Sequence, residues 1–437
     1  MPEPDDRSQL QFRRWTDPAI LAVAAAAVAS GIGQFGVVAA LGSVAKAFGH
    51  AAPSGSIAAQ AGLSGTQLGA GLAVIRLASL GGLPLAGLAD RYGRRRMILV
   101  MLTVGLALTA VTAAAPGYWW FVGVFALGRP LLSATNALTQ ITAGEETGAP
   151  DRAKAVALVS AGYGVGAGIT AILHSLFVKT LGFRGLLALA VVPLVLVQLL
   201  RPVVVESQRY QVSTNEPERP LPVFGVVGER LGRFWILIAV TFLISVITGP
   251  ANTFVFLFAQ SFVHLSGVAT ALMVVGAGVG GLAGLLTGRY MADRVGRRAT
   301  AAVGMIGLAA WGVVAYSGGR TALVLGYILG VFAGSVLAPA VGALVNELFR
   351  TDVRASVAGW VVAAGVLGAV TGLLAFGAVA DVGNRFGYSA AVVFLPAALG
   401  AGLFFLLPES RGLEPEDLTG TTGRHRPATR SRRSRRG

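Results

Sequence analysis

Residues 88–96 read LADRYGRRR, and 203 residues later positions 291–299 read MADRVGRRA. Both copies carry the pattern D-R-x-G-R-R directly after a long apolar run. Similarity of a chain to itself at a fixed distance is the signature of structural repeats. The two copies therefore predict two homologous halves of about 200 residues each.

The composition places these halves in a membrane. Hydrophobic residues make up 54% of the chain and charged residues 13%, whereas an average soluble domain carries about 25% charged residues. The mean hydropathy is +0.70. These values exclude an ordinary soluble enzyme, and they also exclude a disordered chain, which needs low hydrophobicity and high charge.

Twelve apolar runs are long enough to span a bilayer, because about 20 residues cross its hydrocarbon core. They lie near 19–45, 65–89, 96–115, 119–143, 155–178, 184–200, 234–260, 267–289, 300–317, 321–346, 355–380 and 387–407. The sequence predicts an all-α integral membrane protein with the following parts: a tail at 1–18, a six-helix bundle at 19–200, a linker at 201–233, a second bundle at 234–407 and a basic tail at 408–437.

The basic residues predict the orientation of these spans. With both ends inside, 28 of the 35 Lys and Arg fall in inner loops and tails, and five fall outside. Short cytoplasmic loops are positive in membrane proteins, so both termini are predicted to be cytoplasmic in a bacterial-type plasma membrane. The apolar run after residue 18 is too long for a signal peptide, and we expect no cleavable leader.

Two more motifs recur at nearly the same distance, each at the same place in its half: Glu145 and Arg152 with Glu347 and Arg354, and VESQR at 205–209 with PESRG at 408–412. On these motifs and the D-R-x-G-R-R loops, the chain resembles the major facilitator superfamily and, within it, the sugar-porter-like branch. The resemblance covers roughly residues 19–415. It implies a secondary transporter that works by alternating access, with one central site between two parallel repeats.

The D-R-x-G-R-R loops are predicted to gate the inner side. A carboxylate there can cap a neighbouring helix or pair with an arginine, so that opening inward must break the contact. The alternative is that the arginines only set the topology. The residues concerned are Ala86, Gly87, Asp90, Arg91, Gly93, Arg94 and Arg95, and in the second copy Asp293, Arg294, Gly296, Arg297 and Arg298.

The remaining repeated charges are predicted to form inner ion-pair networks that exist only in the outward-facing state. The alternative is solvated loop charges, whose pairs contribute about 0–1 kcal/mol each. The eight residues are Glu145, Arg152, Glu206, Arg209, Glu347, Arg354, Glu409 and Arg411.

Arg76 and Arg129 lie inside predicted spans, where a charge is costly and usually functional. All twenty Asp and Glu lie in tails, loops or helix ends, so no acid within the spans can neutralise these arginines. They bond either to backbone carbonyls and polar side chains or to an anionic substrate. The other predicted cavity residues are Gln34, Asn136, Gln140, Tyr163, Asn252 and Gln260. Pro250 is predicted to break the seventh span and to free carbonyls for substrate or water.

Glycines spaced by four residues predict close helix packing, which the resemblance puts at the contact between the bundles. They include Gly162 and Gly166, the series Gly276, Gly280, Gly284 and Gly288, and the pair Gly368 and Gly372. Cysteine is absent and the four histidines lack ligand spacing, so neither a metal site nor a cofactor is predicted.

These features predict a transporter, not an enzyme, for a small organic anion or polar metabolite. Multidrug efflux is the alternative within transport, and a membrane sensor that signals through its tail is a distant one. The coupling ion stays open, and a proton is one candidate. The basic tail favours anionic lipids over nucleic acid as a partner, and the protein is predicted to be a monomer.

Overall fold

The computed structural model describes residues 12–50, 52–203, 231–349, 351–383 and 385–410, and nearly all of them are helical. Within these ranges twelve helices are long and apolar enough to cross a membrane, which confirms the predicted spans. We number them α1 Pro18–Ala47, α2 Gly65–Tyr92, α3 Arg94–Ala114, α4 Tyr118–Glu146, α5 Pro150–Phe177, α6 Thr180–Leu199, α7 Leu231–Ser261, α8 Gly267–Arg294, α9 Arg297–Tyr316, α10 Arg320–Glu347, α11 Ser356–Gly383 and α12 Phe386–Leu406.

Glycines make the tight turns that the two D-R-x-G-R-R loops require. Gly93 has φ 89° between α2 and α3, and Gly296 has φ 120° between α8 and α9. Only glycine enters this region readily, because it lacks a Cβ. We call the end of the molecule with these turns the basic face and the other end the opposite face. The chain enters α1 and leaves α12 at the basic face, where Arg13 contacts Glu146 and Glu409 contacts Arg298.

Close glycine contacts hold each bundle together. A Cβ on Gly166 of α5 would lie 2.1 Å from the carbonyl oxygen of Val28 in α1, and one on Gly368 of α11 would lie 2.1 Å from that of Phe242 in α7. Gly288 of α8 approaches α10 in the same way. The prediction that these glycines face the other bundle is therefore wrong, because residue spacing defines a helix face but not the helix packed against it.

We expect Gly166→Val to destabilise the protein, because its Cβ must displace backbone of α1. Overpacking of this kind costs about 1–3 kcal/mol. Gly168→Ala, a change at a position with no atom within 4 Å of the added Cβ, is the matched control. Thermal unfolding in detergent should show a lower midpoint for Gly166→Val alone. Equal midpoints for the two variants would contradict the close packing of α5 on α1.

The bundles α1–α6 and α7–α12 meet through α2 and α11, α5 and α8, and α1 and α7. The close contacts between them lie toward the opposite face. Gly69 packs against Leu373 and Gly267 against Ser175. Phe35 of α1 meets Phe256 of α7 edge to face, with ring centroids 5.7 Å apart. These contacts close the molecule at the opposite face.

The seventh helix is interrupted at Phe254, four residues after Pro250, and resumes at Val255. The hydroxyl of Tyr316 donates to the carbonyl oxygens of Pro250 and Ala251, at 3.1 and 3.2 Å. The sequence predicted the break, and in the structure these two carbonyls accept hydrogen bonds from α9. Satisfying them within protein makes an irregular helix tolerable in a membrane.

Candidate substrate cavity

A cavity of about 230 Å³ lies between the two bundles. It is lined by Gln34, Phe35, Val37 and Val38 of α1, Leu72, Ile75 and Arg76 of α2, Arg129 of α4, Tyr163 of α5, Thr248, Gly249, Asn252 and Thr253 of α7, and Ala369 and Leu373 of α11. Arg76 and Arg129 each lie eleven residues after the start of their helix. At about 1.5 Å per residue, both lie near the middle of a 30 Å hydrocarbon core.

Arg129 connects three helices of the first bundle. Its Nη1 donates to the carbonyl oxygen of Gln34 at 3.2 Å, and its guanidinium lies beside the hydroxyl of Tyr163. Its Nε is buried and has no hydrogen-bond partner in the described part of the chain. Arg129 therefore connects helices through its Nη1, whereas its Nε makes no described hydrogen bond.

Arg76 lies close to Arg129 and to Tyr163. Its Nε is also buried without a hydrogen-bond partner among the described residues. None of the residues lining the cavity is acidic, and the structure describes no ion pair for either arginine. Two cations that share a desolvated site repel each other and lack compensation. An anion bound between the two guanidinium groups would reduce their repulsion and would supply the opposite charge that the site lacks.

Gln34 lines the cavity, but its side-chain amide forms hydrogen bonds inside the first bundle. The side chain is 3% exposed, and its Nε2 donates to Ser30 Oγ at 2.9 Å and to the carbonyl oxygen of Leu132 at 3.1 Å. Because Gln34 also accepts the Arg129 bond on its backbone oxygen, it holds α1 and α4 in register. Its predicted place at the cavity is observed, although its amide points into the bundle.

Only some of the remaining predicted cavity residues line the central cavity. Asn252 and Tyr163 line the cavity with the two arginines. Asn136 and Gln140 do not line it, because they lie two and three turns beyond Arg129 toward the basic face. Gln260 lies in a different cavity near the opposite face, where its Nε2 is 3.2 Å from His174 Nδ1.

At the basic face the two bundles carry equivalent ion pairs. Arg94 contacts Glu145, and also Asp90 at 3.3 Å. In the second bundle Arg297 contacts Glu347 at 3.4 Å and Asp293 at 3.6 Å. Each arginine starts α3 or α9 and reaches the end of α4 or α10. These pairs join helices of one bundle, so they do not require the bundles to close on each other.

Glu145 of the predicted network therefore pairs with Arg94, which was predicted as a gating residue. Arg94 contacts it, whereas Arg152 is exposed. The sequence spacing brought Glu145 and Arg152 onto one loop, but the start of α3 lies nearer in space. Glu206, Arg209 and Arg411 lie outside the described residues, as does the side chain of Arg354.

Glu409 caps a helix. Its carboxylate accepts the backbone N–H groups of Arg297 at 2.9 Å and Arg298 at 3.3 Å, and Arg298 Nε lies 3.5 Å away. An acid at a helix N-terminus satisfies free N–H groups and favours the dipole. This repeated acid therefore fastens the end of α12 to the start of α9.

Several residues of the predicted gating motif are exposed in the described part of the chain. Asp90, Arg91 and Arg294 are exposed, and a Cβ on Gly87 would meet no atom within 4 Å. Ala86 is half-buried beside it, Arg95 donates to the carbonyl oxygen of Arg201 at 3.1 Å, and Arg294 stacks on Tyr290.

Sequence reasoning missed a contact at the opposite face. Asp381 of α11 accepts the backbone N–H groups of Gly65 and Thr66 at 2.6 and 2.8 Å and the hydroxyl of Thr66 at 2.6 Å. These residues begin α2, so a carboxylate of one bundle caps a helix of the other. A signal was present, because Asp381 is the one acid among twenty that lies near a predicted outer loop.

The sequence of this chain matches a known protein family. Residues 21–313 and 264–436 match the Major Facilitator Superfamily. The chain belongs to the major facilitator superfamily. It is therefore a multi-pass membrane transporter of small organic solutes, and not an enzyme. The sugar-porter-like branch stays a prediction.

Three similar proteins illustrate the match. The chain is 26% identical over 395 residues to a "Probable 4-methylmuconolactone transporter" of Cupriavidus pinatubonensis, covering 84% of this chain and 87% of that protein. It is 25% identical to the "Benzoate transport protein" of Acinetobacter baylyi, covering 60% and 63%. The fold matches the xylose transporter XylE from E. coli in an inward open conformation, with a TM-score of 0.71, 17% identity and coverage of 92% and 98%.

Proposed function

We propose that the protein is a secondary transporter of a small organic carboxylate, with Arg76 and Arg129 as its anion-binding groups. One observation carries the proposal: Arg76 and Arg129 share the central cavity, each has a buried Nε without a hydrogen-bond partner among the described residues, and no lining residue is acidic. A carboxylate accepts paired hydrogen bonds from the planar guanidinium fork, and such charge-assisted bonds are about twice as strong as neutral ones.

The rest of the lining supports a small aromatic or aliphatic body on that carboxylate. Phe35, Leu72, Ile75 and Leu373 supply apolar surface, and Thr248 supplies a hydroxyl across the cavity. The volume of about 230 Å³ is below the 300–1,000 Å³ or so of sites for drug-sized ligands. It favours a single-ring acid over the large amphipathic compounds of a multidrug exporter.

Relatives agree with this chemistry. One is named a benzoate transport protein and one a probable 4-methylmuconolactone transporter. Benzoate combines a carboxylate with one apolar ring, which matches the arginine pair and the apolar lining. It is therefore the first substrate to test.

We further propose that the basic face is cytoplasmic, in a bacterial plasma membrane, since positive loops stay inside. The contacts between the bundles lie toward the opposite face, which supports an inward-open state. The predicted gate between the D-R-x-G-R-R loops and the other bundle would then form when the protein opens outward.

Counterflow in proteoliposomes tests the substrate class without assuming a coupling ion. Vesicles are preloaded with unlabelled compound, and entry of a trace of labelled compound is followed for benzoate, a sugar and a cationic dye. We expect transient accumulation of benzoate alone. Accumulation of the dye would favour multidrug efflux, and accumulation of the sugar would remove the role of the arginine pair.

A further inference from the structure

A second cavity, of about 650 Å³, opens at the opposite face where α1, α5, α7 and α8 meet. It lies along the same face of α1 as the central cavity. Val38 lines the central cavity, and Lys46, eight residues later on that face, lines the second one. Gly42 lies between them and also lines the second cavity.

A thin layer of side chains separates the two cavities. A Cβ on Gly42 would lie 2.9 Å from Gln260 Oε1 and 3.6 Å from Leu257 Cδ1. Phe35, two turns before Gly42 on α1, and Phe256, one turn before Gln260 on α7, pack edge to face deeper in the molecule. Movement of α7 away from α1 would therefore join the second cavity to the central one.

The lining of the second cavity is suited to an anion. Lys46 and His264 contribute basic groups, and Ser43, Ser175 and Thr270 contribute hydroxyls. None of its lining residues is acidic. The 28-residue helix α8 also begins here, so its positive dipole end lies at the same place, although Ser266 already caps the N–H group of Ala269.

An unused polar atom points to a ligand independently of the helix end. Ser175 is 6% exposed, and its Oγ has no hydrogen-bond partner in the described part of the chain. A buried hydroxyl without a partner costs free energy.

We propose that this second cavity is a binding site for the carboxylate substrate on the outer side of the closed gate, with Lys46 as its charged contact. The site holds the anion next to the layer that must open, and Ser175 Oγ donates a further hydrogen bond to it. The identity of the anion rests on the proposed function, whereas the presence of an anion site does not.

A single-cysteine reporter tests the site, because the chain contains no cysteine of its own. Val268 lines the cavity and is 61% exposed. In Val268→Cys the rate of alkylation by a maleimide is measured with and without benzoate. At a benzoate concentration of about twice the Kd, we expect a threefold slower rate, because the free fraction falls as 1/(1 + [L]/Kd).

Further variants and a neutral analogue test whether that protection comes from an anion bound at Lys46. It should disappear in Lys46→Gln and persist in Lys46→Arg, which keeps the charge. It should also persist in Arg76→Ala, because binding here does not require the central site. Neutral benzamide should not protect, and a cysteine at Tyr388, exposed elsewhere on the opposite face, should react equally fast with and without benzoate.

The inference would be overturned by absence of protection at Val268→Cys, or by protection that survives Lys46→Gln. Loss of protection in Arg76→Ala would also overturn it, because the protection would then come from a movement that central binding causes. Equal protection by chloride or phosphate would show that the site does not select carboxylates. Counterflow of benzoate tests the proposed function separately, so the two can fail independently.

Discussion

Arg76→Ala is expected to lower kcat/KM for benzoate by about 10- to 100-fold, because a hydrogen bond to a charged group contributes about 1.5–3 kcal/mol. Arg76 has a buried Nε without a partner and lines the central cavity. Its removal therefore takes away the proposed substrate contacts without breaking a described hydrogen bond of its Nε. Initial rates in proteoliposomes, normalised to the amount of reconstituted protein, measure the effect.

Three further variants distinguish the loss of substrate binding from the loss of a positive charge and from a loss of stability. Arg76→Lys keeps the charge but loses the planar fork, so it should recover only part of the activity. Arg320→Ala removes an exposed arginine at the start of α10 and should leave the rate unchanged. Arg129→Ala should lose transport and also unfold at a lower temperature, because Arg129 bonds to the backbone of α1. If Arg76→Ala kept more than half of the wild-type rate, its role in substrate binding would be excluded.

Asp381→Ala is expected to shift the protein toward the state that is open at the opposite face. The carboxylate accepts three hydrogen bonds from the first residues of α2, and these bonds connect the two bundles. Asp381 is only half-buried, so the lower end of the range for charged hydrogen bonds applies. A loss of about 1.4 kcal/mol raises the open population about tenfold.

A cysteine in the central cavity measures this shift. Leu72 is 4% exposed and lines the cavity, so Leu72→Cys should react with a membrane-impermeant thiol reagent added from the opposite face only when that face opens. The reaction should be about tenfold faster in the Asp381→Ala background. Thr66→Val removes only the hydroxyl bond and should give a smaller increase. An unchanged rate in both backgrounds would show that Asp381 does not hold the opposite face closed.

The helices and their repeat could be predicted from the sequence because both are local properties. A run of about 20 apolar residues must span as a helix, since a bilayer leaves no other partner for backbone N–H and C=O groups. Likewise Arg76 and Arg129 could be placed in the membrane, without an acidic partner in any span, by counting residues along the chain. That they share one cavity with Tyr163 required the structure.

Which helix each polar or small residue faces was decided by tertiary packing. Spacing put Glu145 near Arg152, but the start of α3 brings Arg94 to it. The spacing predicted that the glycines of α5 share one helix face, but it did not predict that Gly166 packs against α1 of the same bundle.

For Gln260 and Asp381, too, the sequence did not predict which residues they contact. Both were visible in the sequence, but Gln260 lines the second cavity and Asp381 caps a helix that begins 316 residues earlier in the chain. By itself the sequence determined twelve spans, two related halves and two uncompensated intramembrane arginines, because length, hydropathy and repetition are read along one chain. Partners across the bundles were decided only by the rotation and position of whole helices, which no local spacing encodes.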